Sequence, residues 1–140
     1  MALSIEVQQL GGAPPVAVVD LHGELDASTF EAVIAAVRDA YVAGARGLVL
    51  DFEGVSFMAS SGLFALHSAV RIMRGETPPD PESGWGALHE VAGDHDAATR
   101  NVRLAAAQEP IVRVLERTHM TELFAMDGSR ADAIRALRGA

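Results

Sequence analysis

Cysteine is absent from the 140-residue sequence, and its absence excludes disulfides, thiolate nucleophiles and cysteine-bound metals. Basic residues are few, since 11 Lys and Arg stand against 19 Asp and Glu and give a formal charge of −8. Such a charge opposes binding to a nucleic-acid backbone. No apolar run reaches the roughly 18 residues of a membrane span, and no basic segment precedes an apolar one as in a secretory signal. We therefore expect a cytoplasmic protein with no nucleic-acid partner and no direct membrane insertion.

Five segments have the patterns of β-strands. Residues 3–10 alternate between apolar and polar side chains, and residues 15–23 form an apolar run after a turn rich in glycine and proline, so we predict a hairpin. Residues 47–52 form a short apolar run that is typical of a strand buried on both faces. Two more short strands are predicted at residues 101–107 and 122–126.

Helical periods lie between these strands. Apolar residues recur at steps of three and four within residues 30–41, which predicts an amphipathic helix. Ser28 followed by Glu31 predicts a capping box at the start of this helix, and Gly44 is its predicted C′ residue. A second, strongly apolar helix is predicted to begin near Ser61.

The C-terminal part adds a long loop and two more helices. Residues 75–100 are rich in proline, glycine and acidic residues without a sustained period, so we predict an inserted long loop, which holds the only tryptophan, Trp85. A helix with Pro110 in its first turn follows the fourth strand. The last helix is predicted to begin with Ser129 as its cap and Asp132 in its first turn.

The predicted element order is ββαβαβαβα. Strands that alternate with single helices imply right-handed crossovers and parallel pairing, while the hairpin makes the first strand antiparallel to the second. We therefore predict a single α/β domain over residues 1–140, with a mixed, mostly parallel sheet.

Two serines and a glycine, Ser60, Ser61 and Gly62, interrupt the passage from the third strand into the second helix. In α/β sheets the segments that follow the carboxyl ends of strands commonly bind ligands and partners. One interpretation is that Ser60 or Ser61 only caps the helix. The other is that a hydroxyl at this helix N-terminus accepts a phosphoryl group, which the free amides and the helix dipole would stabilise.

Motifs of catalysis and cofactor binding are missing. No G-x-x-x-x-G-K-[ST], G-x-G-x-x-G or G-x-S-x-G pattern occurs. His89 and His95 lie near acidic residues, but their spacing matches no helical zinc motif, so we interpret them as solvated loop residues. A hydrolase triad of Ser61, His67 and Asp26 is disfavoured, because Ser61 and His67 lie on different faces of the same predicted helix. We expect no enzyme activity, no metal and no cofactor.

Three stretches, "LHGELDAST", "LVLDFEGVSFMASSGLFAL" and "VRVLERTHMTELFAM", resemble the bacterial anti-sigma factor antagonist family, the STAS-domain proteins of partner-switching systems. The resemblance covers residues 3–74 and 101–138. It implies a STAS-like fold and a binding protein that regulates sigma-factor-dependent transcription. In such systems the unphosphorylated antagonist binds an anti-sigma factor, and the serine kinase activity of that anti-sigma factor phosphorylates the antagonist and breaks the complex.

The resemblance also assigns residues to these roles. Position matching puts the phospho-acceptor at Ser61, with Ser60 as the alternative, and Asp26 beside it. The implied partner for binding is an anti-sigma factor serine kinase, which would contact the Asp26 turn, a loop at 54–61 and an exposed face of the second helix. The partner-binding residues expected in this surface are Asp26, Ser56, Met58, Ser60, Gly62 and Leu63.

Two features depart from the family pattern. Ala59 stands where the family usually carries Asp before the two serines, which favours an alternative in which the chain is a non-switching STAS scaffold or an accessory subunit of a sensory or transporter assembly. A small-ligand binding domain that uses the same loop is a further alternative. The long loop at 75–100 is interpreted as a tolerated surface insertion, or as a docking segment anchored by Trp85.

Overall fold

The computed structural model describes residues 3–76, 101–121 and 124–139. Within these ranges the strands are β1 (Leu3–Leu10), β2 (Val16–Leu25), β3 (Gly47–Met58), β4 (Val102–Ala105) and β5 (Ala125–Asp127). The helices are α1 (Phe30–Val42), α2 (Ser60–Met73), α3 (Glu109–Arg117) and α4 (Arg130–Leu137). Across the described ranges the predicted order ββαβαβαβα is confirmed. Most of the predicted long loop, with Trp85, His89 and His95, lies outside the described residues.

The strands form one five-stranded sheet in the order β1-β2-β3-β4-β5. β1 pairs antiparallel with β2, whereas β2, β3, β4 and β5 pair in parallel. The sheet is therefore mixed and mostly parallel, and its first strand is antiparallel at one edge, as predicted. Parallel pairing places the carboxyl ends of β2 and β3 at the same edge of the sheet.

Side chains of each inner strand alternate between two layers of helices. In β2, Ala17 and Val19 belong to the large core that α1, α2 and α3 cover, while Val16 and Val18 belong to a smaller cluster with Ala133 of α4. This alternation follows from the period of two in a strand. The apolar run of β2 is therefore long because both of its faces are buried.

The start of α1 differs from the prediction. The helix begins at Phe30 after Thr29, and no side chain caps it. The predicted capping box of Ser28 and Glu31 is wrong, because Ser28 instead donates both its amide and its hydroxyl to Asp26. At the other end the prediction is confirmed, since α1 ends at Val42 and Gly44 follows with a positive φ of 117°.

Strand β3 is longer than predicted and includes most of the expected 54–61 loop. Gly54, the first residue of the expected loop, lies beside His22 of β2, and a Cβ at this position would come within 2.2 Å of the His22 Nδ1 atom. The glycine is therefore required by close packing between two strands. The loop prediction is wrong for residues 54–58, and Ala59 alone separates β3 from α2.

The later helices match their sequence signals. α3 has Pro110 at its first turn, and in α4 the Ser129 hydroxyl accepts a 3.1 Å hydrogen bond from the amide of Asp132. Strand β4 lies within the predicted residues 101–107. The last strand spans Ala125–Asp127, which confirms the predicted strand at residues 125 and 126, while residues 122 and 123 of the predicted range lie outside the described residues.

Helix α2 is buried on every side from Gly62 to Val70. Its apolar residues account for most of this burial, and the polar side chains of His67 and Ser68 are buried with them. The expectation that α2 presents an exposed face to a partner is therefore wrong.

Among the residues that the structure describes, no helix combines the length and apolar character needed to cross a membrane.

Candidate functional site at the carboxyl ends of β2 and β3

The candidate site lies where β2 and β3 end side by side. Leu25 pairs with Met58 in the last step of the parallel ladder, and the amide of Ala59 donates a 2.9 Å hydrogen bond to the carbonyl of Leu25. The residue after Leu25 is Asp26, and the residue after Ala59 is Ser60. The ladder thus brings the turn after β2 and the first turn of α2 together.

The turn after β2 is held by its own side chains. The Oδ1 atom of Asp26 accepts hydrogen bonds of 2.9 Å from the Ser28 amide and 2.7 Å from the Ser28 hydroxyl. The Thr29 hydroxyl accepts from the Asp26 amide at 2.9 Å and donates to the Glu24 carbonyl at 2.9 Å. This is an Asx turn, in which a short carboxylate replaces a backbone acceptor. It fixes the conformation of the turn without help from the rest of the domain.

The same bonds determine the charge of Asp26. The hydrogen bond from the Ser28 hydroxyl, and after it the bond from the Ser28 amide, lowers the pKa of Asp26 below its ordinary value, because hydrogen bonds to a carboxylate favour its ionised form. None of the hydrogen bonds among the described residues involves Oδ2 of Asp26. The site therefore presents a negative charge with one oxygen available to a partner.

The two serines of the site differ in accessibility. Ser60 is exposed, whereas the Oγ atom of Ser61 is buried and has no hydrogen-bond partner among the residues that the structure describes. Neither serine caps α2, because Ala59 is the N-cap residue and both serines lie within the first turn. The interpretation of Ser60 or Ser61 as a helix cap is therefore wrong. The accessible hydroxyl of the pair is that of Ser60.

Gly62 is required by packing at the start of α2. A Cβ at this position would lie 2.4 Å from Cγ of Met58 and 3.0 Å from Cγ of Leu25. Real Cβ atoms do not approach a carbon as closely as 2.4 Å, so a larger residue would have to displace the Met58 and Leu25 side chains or the helix itself. Gly62 thus holds the first turn of α2 close to the ends of β2 and β3.

The predicted partner-binding residues divide into two groups. Ser56 and Ser60 are exposed and Asp26 is half-buried, so these side chains are available at the surface. By contrast, Met58 and Leu63 are only 3% and 2% exposed. These two residues, together with the buried Gly62, support the site from below. For Leu63 and Gly62 this burial indicates a packing role, while a direct contact by Met58, which also borders a neighbouring groove, stays a prediction.

Two features of the site were absent from the predictions. Phe57 has 49% of its surface exposed, although it lies next to the buried Met58; the period of two in a strand does not reveal this exposure, because Val55, two residues earlier, is buried. The Asx turn was also missed, because Ser28 was assigned to a capping box. The order Asp, Ala, Ser, Thr at residues 26–29 is itself a signal for this turn.

Comparison with protein families identifies the class. The STAS domain model matches residues 4–76, which is more than half of the chain. This segment holds the hairpin, α1, β3 and α2, and hence every element that forms the site. The chain belongs to the STAS domain family.

Solved structures give the same fold over almost the whole chain. An anti-sigma factor antagonist from Mycobacterium paratuberculosis is 22% identical, with a TM-score of 0.67 over 98% of this chain and 95% of that one. The antagonist SpoIIAA in its unphosphorylated form is 23% identical, with a TM-score of 0.61 over 99% and 98%. SpoIIAA of Bacillus in its phosphorylated form is 19% identical, with a TM-score of 0.61 over 96% and 100%. A search of curated proteins finds no significant match.

Proposed function

We propose that this protein is an anti-sigma factor antagonist that binds an anti-sigma factor serine kinase through the site at the ends of β2 and β3, and that phosphorylation of Ser60 releases it. The protein acts by binding rather than by catalysis, and its cytoplasmic partner controls a sigma factor. The observation that carries the proposal is the exposed hydroxyl of Ser60 in the first turn of α2, beside the Asp26 turn.

The geometry favours Ser60 over Ser61 as the acceptor. A kinase must reach the hydroxyl oxygen, and Ser60 is exposed while Oγ of Ser61 is buried. A phosphate on Ser60 would lie at a helix N-terminus, where free amides and the dipole stabilise its charge of about −1.5 to −2. A phosphate on Ser61 would first require this first turn of α2 to open. The proposed acceptor is therefore the alternative that the sequence offered.

The modification would act on the partner through charge. Asp26 is ionised and has a free oxygen at the same edge, so a phosphate on Ser60 would place two negative groups on one small surface. A partner surface that fits the unmodified edge would then face a strong, partly desolvated negative charge, which weakens a complex without refolding the antagonist. SpoIIAA of Bacillus has been solved in a phosphorylated form with the same fold, which supports this kind of switch.

The test uses the purified protein, ATP and each anti-sigma-type kinase encoded in the same genome. Intact-mass and fragment-ion mass spectrometry would be applied to the wild type, Ser60→Ala and Ser61→Ala, with fragments that separate the two serines. We expect one phosphate on the wild type and on Ser61→Ala, and none on Ser60→Ala. Binding of the kinase to Ser60→Asp should fall by at least about tenfold.

Other outcomes would decide against the proposal in different ways. A phosphate that survives in Ser60→Ala and disappears in Ser61→Ala would assign the switch to the buried serine. Tight binding of one kinase without any phosphate would identify a constitutive antagonist. Ala59 favours the constitutive antagonist as the second candidate function. A methyl group stands where the family usually has a carboxylate before the serines, so a group that could take part in recognition by the kinase is missing.

A further inference from the structure

A groove runs beside the site, between the end of β3 and helix α3. β4 pairs with β3 only from Leu48 to Asp51, so the rest of β3 extends beyond β4, and α3 packs against it there. The amide of the Gln108 side chain donates a 2.6 Å hydrogen bond to the carbonyl of Glu53 and holds the start of α3 to the strand. The groove has a volume of about 310 Å³.

The floor of the groove is apolar and partly open. Phe57, Met58, Pro110 and Val114 line it, and the Phe57 ring has 49% of its surface exposed. A half-exposed aromatic ring beside a cleft is characteristic of protein interfaces, where such residues supply a large share of the binding energy. Met58 joins the groove to the site, because the same side chain packs against Gly62.

The rim of the groove is positively charged. Arg113 and Arg117 line it together with Glu109. Arg113 is paired with Glu109, while Arg117 forms no ion pair within the part of the chain that the structure describes. This local excess of positive charge contrasts with the formal charge of −8 of the chain as a whole. With two arginines and one glutamate in its lining, the groove favours an acidic ligand over a basic one.

The groove is an open surface that adjoins the site through Met58. A partner that contacts Ser60 cannot pack along α2, because residues 62–70 are buried. We propose that the groove binds an acidic segment of a partner protein, which inserts a large apolar side chain against Phe57 and pairs a carboxylate with Arg117. This proposal rests on the proposed function in taking a partner protein as the occupant.

The test is a selection that requires neither a kinase nor a phosphate. A phage-displayed library of random dodecapeptides would be selected on the wild type, after depletion on the double variant Phe57→Ser/Arg117→Glu. We expect the enriched peptides to contain an excess of Asp and Glu around at least one large apolar residue. Their affinity should fall by at least about tenfold for Phe57→Ser and for Arg117→Glu measured separately.

Matched control variants separate the groove from the general surface. Val42 of α1 is 82% exposed, so Val42→Ser removes an exposed apolar side chain elsewhere, and Arg38→Glu reverses an exposed charge on the same helix. Both controls should change the affinity by less than about twofold. Circular dichroism and denaturation midpoints would confirm that all variants are folded.

Several results would overturn the groove assignment. The selection could enrich no peptide, or it could enrich peptides without an excess of Asp and Glu. The enriched peptides could also bind the groove variants as tightly as they bind the wild type. A wild-type dimer that Phe57→Ser converts to a monomer would instead make a second copy of the chain the occupant. Phosphorylation of Ser60 together with a failed selection would remove only the groove proposal, while groove-bound peptides without phosphorylation by any kinase would remove only the switch.

Discussion

The two faces of the sheet differ in how their buried polar side chains are paired. On the face covered by α1, α2 and α3, the core is apolar, and the buried His67 and Ser68 of α2 find no hydrogen-bond partner among the described residues. On the face covered by α4, Arg130 contacts Asp51 at 2.8 Å and Asp20 at 3.0 Å. A deep apolar core thus keeps polar groups neutral, whereas a short helix over a small apolar cluster is held by paired charges.

This difference has a physical origin in the amount of apolar surface on each face. The α4 cluster contains few and small side chains, so apolar burial alone orients this helix weakly. Ion pairs orient α4 on the sheet, because a guanidinium group bonds to carboxylates in a fixed geometry. The bond from Asp51, followed by that from Asp20, raises the pKa of Arg130 above its ordinary value, so the arginine remains charged under all ordinary conditions.

The largest loss of stability is expected from removing the ion pairs of Arg130 on the face that α4 covers. Arg130→Ala would leave Asp51, which is 3% exposed, without its cation, and an uncompensated buried charge costs about 3–4 kcal/mol of unfolding free energy. Urea denaturation would measure the loss. Arg130→Lys should recover only part of it, because an ammonium group cannot reproduce the bridge to both carboxylates.

A second arginine of α4 provides the control for this prediction. Arg135 pairs with Asp132 on the solvent side, and both side chains are about half exposed or more. Arg135→Ala should therefore cost less than about 0.5 kcal/mol. Equal losses for the two variants would show that α4 is held by apolar packing rather than by the bridge to Asp51.

The next largest effect is a dependence of stability on pH, caused by His67 on the face of the sheet that α1, α2 and α3 cover. Burial, and after it the charge of Arg71, lowers the pKa of His67 to about 4 from 6.5. Between these two values the unfolded state binds a proton at His67 that the native state does not, so stability falls as the pH falls, by up to about 3 kcal/mol. In His67→Leu this contribution should vanish. Denaturation midpoints of both proteins from neutral pH to pH 4 would check it.

The comparison with His67→Leu isolates one group, because all other titrating residues are common to both proteins. The variant should also be at least as stable as the wild type at neutral pH, since it removes two buried nitrogens that lack partners. Parallel curves for the two proteins over this pH range would contradict burial of a neutral histidine in α2.

The smallest effect is expected where the apolar face meets the site. Gly62→Ala would place a methyl group against Met58 and Leu25, and this overpacking should cost about 1–2 kcal/mol. Gly11→Ala is the matched control, because nothing lies within 4 Å of a Cβ at that position, and it should change stability by less than about 0.5 kcal/mol. Thermal unfolding would compare them, and an unchanged Gly62→Ala would show that the end of β3 is loosely packed.

The sequence predicted the order and type of the elements because each depends on a local period. The alternation in β1, the helical steps from Phe30 onward and the cap at Ser129 are all readable within a few residues. The loop expected at 54–61 was wrong for residues 54–58, because the reason for Gly54 lies on another strand, in the side chain of His22. The exposure of Ser60 and the burial of Ser61 likewise depend on the packing of α2, which no local pattern encodes.

A single residue, Ala59, connects β3 to α2. Such a short connection contains little spare length, so we expect a group added at exposed Ser60 to change the surface rather than the path of the backbone. The modified and the unmodified protein should therefore share one backbone. The two forms would then differ only in the charge and shape of the surface around Ser60. A partner protein would have to distinguish them by its affinity for that surface, because no change of fold would accompany the modification.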